Sequence, residues 1–348
     1  MHIRRRSPHT DRTPSRVRRA WFLAVLVIGT LAGVGLPSQP AGATHLPDLQ
    51  CGVNPTTDVR LRADLTCDQG FVGDADHTGA PLVNIDLGGH TLTVVNGTCT
   101  FFGRCGAIYN EASVRNGKIV GDLKNIRRTS FVRVAGSVYL NENTPDPALL
   151  EASTVRGGRV GILGPDATVR FSVVSGGGAV GGGIQFLDAL AGITNARIYA
   201  NRISDSPAAG ISVLSTCGSC AGSISGAIAF NTITRSGTAG IDVKGQLPSV
   251  GRLEITGNIV RTNGGDGIHV AASPAPPTIG GGPIVITGNW ALRNGGHGIN
   301  SEWIVDDPTQ GVVDGGHNQS RWNAVSPQCV GVDCSSHCFD FGGPSLFG

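Results

Sequence analysis

"NGGDGIHV" at 263–270 and "NGGHGINS" at 294–301 are almost one sequence written twice, 31 residues apart. Reading outward from them decides the fold. Two further copies lie upstream, so the series runs "IYANRISDSPAAGISV", "IAFNTITRSGTAGIDV", "EITGNIVRTNGGDGIHV" and "VITGNWALRNGGHGINS". Asn201, Asn231, Asn258 and Asn289 recur at spacings of 30, 27 and 31, and Gly210, Gly240, Gly267 and Gly298 keep the same spacings. Asn318 in "GGHNQS" stands where a fifth copy would begin. Two independent anchors sharing one irregular period mark a true repeat.

Each copy is short and strand-like. Ile198, Ile228, Ile255 and Ile286 precede the asparagine by three, and Ile211, Ile241, Ile268 and Ile299 follow the glycine. β-Branched residues alternating with polar or small ones suit half-buried strands. No stretch beyond residue 43 carries a convincing helical period over twelve residues, and "TPDPALLEA" at 144–152 reads as a loop or a short helix off the stack. Short strands at a period near 29 predict an all-β, single-stranded right-handed parallel β-helix of roughly eight to ten coils. One coil buries its isoleucines only when the next stacks on it, so equivalent residues form columns about 4.8 Å apart. The asparagine column is then structural, because Asn tolerates left-handed bends and stacked amides hydrogen-bond to one another. Earlier stretches such as "SVRNGKIVG" and "STVRGGRVGIL" are less regular but of the same kind.

The ends differ from the middle. Seven arginines precede an apolar run from Ala20 to Leu36, followed by "SQPAGA", so 1–43 reads as an export signal and the protein as secreted. The run is short for a membrane span, and no membrane association is expected after cleavage. Beyond it the chain has 20 Lys/Arg against 24 Asp/Glu, a net charge of −4, with no basic stripe for nucleic acid. An open coil exposes a sheet edge, so caps are expected at 44–80 and 312–348, with coils over 81–311. The nine cysteines fall in local groups. Sequence proximity suggests pairs Cys51–Cys67, Cys99–Cys105, Cys217–Cys220 and Cys329–Cys334, with Cys338 left over. "CGSC" also has redox spacing, and Cys329, Cys334, Cys338 and His337 have a zinc-like donor set.

The stretch "LRADLTCDQGFVGDADHTGAPLVNIDLGGHTLTV" at 61–94, with the later G-N-x-I and N-G-x-G-I motifs, resembles secreted bacterial right-handed parallel β-helix repeat proteins of the pectate-lyase-like superfamily. The likeness covers most of 50–335. It implies the fold, and an activity or binding function directed at polysaccharide on an outer face. His90 in "LGGHTL" is a structural residue of that pattern, and His317 reads as turn chemistry.

Columns then assign a site. The slot before Gly-Ile holds Ala209, Ala239, Asp266 and His297; the slot after it holds Ser212, Asp242, His269 and Asn300; two further on stand Leu214, Lys244, Ala271 and Glu302. Since the isoleucines point inward, these neighbours are expected outside. Asp242, Asp266, His269, His297 and Glu302 are the candidate catalytic residues, because adjacent carboxylates and imidazoles can do acid–base work. Lys244, Asn300 and Trp303 are candidate substrate contacts, with Trp290 a second ring for sugar stacking. Polygalacturonases place Asp, Asp and His in the pre-glycine slot; here that slot reads Ala239, Asp266 and His297, with "GHG" at 296–298, and no downstream Arg-x-Lys. Hydrolysis with inversion needs two carboxylates across the bond, so the missing Asp weakens that likeness. Lyase chemistry needs a base and a cation, and Ca²⁺ would take Asp242, Asp266 and Glu302 as oxygen ligands. The alternative is a non-catalytic carbohydrate-binding or cell-surface solenoid, in which the slot is merely exposed and polar.

Overall fold

The computed structural model describes residues 46–72, 82–96, 98–99, 105–109, 112–140, 147–176, 183–187, 193–215, 224–245, 250–271, 282–302 and 311–335. The export signal, Cys217, Cys220, Trp303, His337 and Cys338 lie outside them. Each coil visits three faces in turn. In the most regular part these are Ile193–Tyr199, Arg202–Ser204 and Ile211–Ser215, then Ile224–Ala229, Thr232–Thr234 and Ile241–Gly245. The next two coils are Val250–Thr256, Ile259–Arg261 and Ile268–Val270, then Ile284–Thr287, Trp290–Leu292 and Ile299–Ser301. Each of these strands pairs in parallel with its equivalents in the adjacent coils, as Ile198↔Ile228, Ile228↔Ile255 and Ile255↔Ile286 show on the first face.

The expected isoleucines fill the interior. Ile198, Ile228, Ile255 and Ile286 on the first face and Ile211, Ile241, Ile268 and Ile299 on the third are all fully buried. Each such side chain contributes about 1.5–3 kcal/mol through burial. Gly240 is what lets the third strand start so close to its neighbours. A Cβ there would lie 2.1 Å from Val260 Cγ1 and 2.8 Å from the Gly267 carbonyl.

The asparagine column forms, but not for both expected reasons. The left-handed residue at each first bend is the one before the asparagine: Ala200, Phe230, Gly257, Gly288 and His317 all have φ between 55° and 63°. The asparagine itself points inward and is buried. Asn231 donates from its backbone N–H and its Nδ2 to Asn258 Oδ1, both at 3.0 Å, and from Nδ2 to the Ile198 carbonyl at 2.9 Å. One amide therefore ties three coils. The pattern starts with serines (Ser153, Ser172) and runs through Asn201 and Asn289 to Asn318. A second ladder, legible in the repeated "NGG" but not read from it, joins Ser236, Asn263, Asn294 and Asn323 at the second bend. It ends on Gln328, whose Oε1 accepts from both Asn323 N–H groups.

Within the segment read as the C-terminal cap, Val312–Asp314 and Asn318–Arg321 still stack in register on the coil before. Within the N-terminal one, Val59–Arg60 and Leu65–Gln69 pair in parallel with Asn84–Asp86 and Thr91–Asn96. Cys51–Cys67 and Cys329–Cys334 are disulfides, so the last pair is not a zinc set. Cys99 and Cys105 face each other across an antiparallel strand pair, their side chains outside the described atoms. Among the described residues no helix is long and apolar enough to cross a membrane.

Candidate functional site

The third face carries the predicted column in the predicted register: Ser212↔Asp242, Asp242↔His269 and His269↔Asn300. Its side chains are less exposed than expected. Only 10% of the Asp242 side chain is accessible and 16% of His269, against 50% of Lys244 and 58% of Glu302. Asp242 is shielded because its neighbours fold over it. Its Oδ1 accepts from His269 Nδ1 at 2.8 Å, and its Oδ2 meets Lys244 Nζ at 2.8 Å. Both oxygens of the shielded carboxylate are thus paired, which is the condition for keeping a charge there.

This arrangement orients the imidazole. An ionised carboxylate only accepts, so Nδ1 of His269 carries a proton and Nε2 is left facing outward, 3.6 Å from Glu302 Oε1. The hydrogen bond from His269 to Asp242 raises the imidazole pKa, outweighing the opposing effect of burial. For Asp242, burial pushes the carboxyl up, but the bonds from His269 and Lys244 together hold it below the ordinary carboxylate range. A buried carboxylate, an oriented imidazole and an open ring nitrogen constitute the parts of a general base.

Asp266 and His297 form a separate, structural group. Asp266 Oδ1 accepts the His297 backbone N–H at 2.6 Å, and its Oδ2 accepts from Asn300 Nδ2 at 3.1 Å. His297 Nδ1 donates to the Pro327 carbonyl at 2.7 Å. The two residues are neighbours across one coil spacing, as the columns required; the Asp266 carboxylate holds backbone and Asn300, and His297 Nδ1 holds a carbonyl. Asn300 is likewise turned toward Asp266. Calcium fares no better: Asp242 and Asp266 are committed elsewhere, and among the described residues no three His, Cys, Asp or Glu are arranged to hold a metal ion. Trp290 stands 41% exposed on the second face, opposite Ile259 and Gln319, so it does not adjoin the dyad.

The column also extends further than the regular repeats. Upstream of Ser212 it continues through Gln185 and Gly161 to Tyr139. Arg159 donates to Tyr139 OH at 3.1 Å and to Gln185 Oε1 at 2.8 Å, and both Arg159 and Lys124 lie over the Tyr139 ring. Sequence reading missed these residues because the early coils are unequal in length. The signal was the run of strands itself, not a motif.

Residues 136–303 match the family model described as "Right handed beta helix region". Among solved structures, the crystal structure of the Dettilon tailspike protein is similar at 14% identity and a TM-score of 0.36, covering 76% of this chain and 60% of that one. No curated protein matches. The three-faced stack of parallel coils and the matched segment identify this chain as a right-handed parallel β-helix repeat protein.

Proposed function

We propose that the protein is exported and acts on an acidic extracellular polysaccharide laid along the third face, cleaving it by elimination. The observation that carries the reading is the Asp242–His269 dyad, with Nε2 of the imidazole 3.6 Å from Glu302 Oε1 and able to take a proton when the ring is neutral. In a uronate chain, His269 Nε2 removes the proton beside the sugar carboxylate. The electron pair forms a ring double bond, and the glycosidic C–O bond at the adjacent carbon breaks. Lys244, half-exposed beside the dyad, offsets the negative charge that builds on the sugar carboxylate. The leaving oxygen takes a proton from water or from Lys244. Hydrolysis is less well served, because Asp242 and Asp266 both have their oxygens engaged and Glu302 lies against His269 Nε2. Tyr139 with Arg159 supplies a ring and charge further along the same column.

Incubation with a panel of uronate polysaccharides tests this. Ultraviolet absorbance from unsaturated sugar ends is expected, and His269→Ala should reduce it at least a hundredfold, within the usual contribution of a general base of about 10²–10⁴. The second reading, a non-catalytic carbohydrate binder, draws on the structural engagement of Asp266 and His297. Saturable binding with no product from any polymer would establish that reading and end the first.

A further inference from the structure

The second face carries different chemistry toward its N-terminal end. Lys118, Arg133 and Arg156 line a cleft of about 330 Å³ together with Val134, Ala135 and Thr154. Lys118 lies directly opposite Arg133 in the parallel register, and Arg156 lies opposite Ala135 on the next coil. Like charges directly opposite in a sheet destabilise it. Several arginines elsewhere in the chain hold a carboxylate: Arg115 with Asp86, Arg170 with Glu151, Arg235 with Asp205 and Arg252 with Glu254. Among the described residues, Lys118, Arg133 and Arg156 have no such partner. The acids on the adjoining strands are already committed. Glu151 holds Arg170, Asp86 holds Arg115, and Asp122 Oδ1 accepts the Ser137 N–H at 2.7 Å. The fold therefore concentrates three unpaired cations at one cleft, against the local cost of their repulsion.

We propose that this cleft binds the anionic group of a carbohydrate chain, a sulfate ester or a uronate carboxylate. Guanidinium groups and an ammonium converging on one small cleft match an oxyanion with several acceptor atoms. Phe131, 64% exposed, stands at the bend two residues before Arg133. An exposed ring so near a cation in the chain fits a sugar bearing an acid group. A nucleic acid fits less well, because residues 44–348 carry a net charge of −4 and a densely charged polymer would be repelled beyond the cleft. The site lies on a different face from the dyad and three or more coils away, so it does not depend on the reading of His269.

The test titrates the purified protein with a sulfated glycosaminoglycan oligosaccharide and with an oligogalacturonate, with duplex DNA in parallel. One of the oligosaccharides should bind saturably and more weakly as salt rises. Threonine stands in the same column on the flanking coils, at Thr91 and Thr154, so Lys118→Thr with Arg133→Thr is a conservative double substitution. It should weaken binding at least tenfold while leaving the melting temperature equal or higher, since the repulsion is gone. The proposal fails if neither oligosaccharide binds, if the double variant binds undiminished, or if DNA binds as tightly.

Discussion

At the scale of single residues, Asp242 and His269 stabilise each other within a definite pH window. The folded state holds His269 above the ordinary imidazole value of about 6.5. Its contribution is therefore fully present below that value and is lost as pH rises through the raised one. Asp242 is held below the ordinary carboxylate value of about 3.9, so its contribution is present above that and lost as pH falls through the lowered one. Between these limits both are charged. His269→Asn keeps a donor for Asp242 without the charge, and should cost about 1.5–3 kcal/mol in mild acid, the worth of a hydrogen bond between charged groups. The difference should shrink in alkali, as urea unfolding across pH would record; a constant difference would refute the pairing. The same shift bears on the proposed elimination. A base works only when neutral, so the acid limb of kcat/KM should lie above pH 6.5. Asp266 behaves differently. Asp266→Ala removes the acceptor for the His297 N–H and Asn300, so a loss of about 1–3 kcal/mol in stability is expected, with little direct effect on chemistry.

At the scale of the repeated element, the two bends have opposite tolerances. Asn231→Ala strips the Nδ2 donor from Asn258 Oδ1 and the Ile198 carbonyl, and the Oδ1 acceptor from both Asn201 donors. Several buried groups lose partners at once, so a loss of about 3–5 kcal/mol is expected by thermal or chemical denaturation. Asn231→Asp can still accept from Asn201 but cannot donate, and it brings a charge, so it should recover part of its stability in acid. The residue beside it should yield easily. Phe230 sits at φ 55° with 67% of its surface exposed, at a bend that the next two coils fill with Gly257 and Gly288. Phe230→Gly relieves left-handed strain while losing contact with Gly257, and should change stability by less than about 1 kcal/mol. Equal and large losses at both positions would mean that the bend, not the amide ladder, holds the coils.

At the scale of the molecule, stability comes from contacts between neighbouring coils, so whole repeats are separable in a way that fragments are not. Deleting residues 231–257 removes one period of 27 and lets Asn201 meet Asn258 in the ladder. That variant should fold and show a cooperative, somewhat lower transition, yet have no lyase activity because Asp242 has gone. A chain ending at Glu302 is expected to fail differently. It removes the coil whose Asn318, Asn323 and Gln328 accept from both ladders, leaving Asn289 and Asn294 donors unmet above an open edge. Such an edge pairs with other chains, so light scattering should report association where the full chain shows none of comparable extent.

The repeat period, the inward isoleucines, the stacked asparagines and the order Ser212, Asp242, His269, Asn300 were all legible in the sequence, since parallel stacking maps a residue in one coil onto its equivalent in the next. Two disulfides were legible from proximity, because short separations are closed by single bends. Other features depended on side chains meeting across coils of unequal length. Ser153, Ser172 and Asn201 share one ladder at separations of 19 and 29, so no fixed period would have aligned Tyr139, Gln185 or the cations at Lys118 and Arg133. Periodicity also says which way a Cα–Cβ bond points but not what the rest of the side chain reaches. Only the tertiary structure turned Asp242 into a shielded partner of His269 and bound Asp266 to backbone, because His269 reaches Asp242, and His297 and Asn300 reach Asp266, from the next coil, and each carboxylate goes to the donors nearest it.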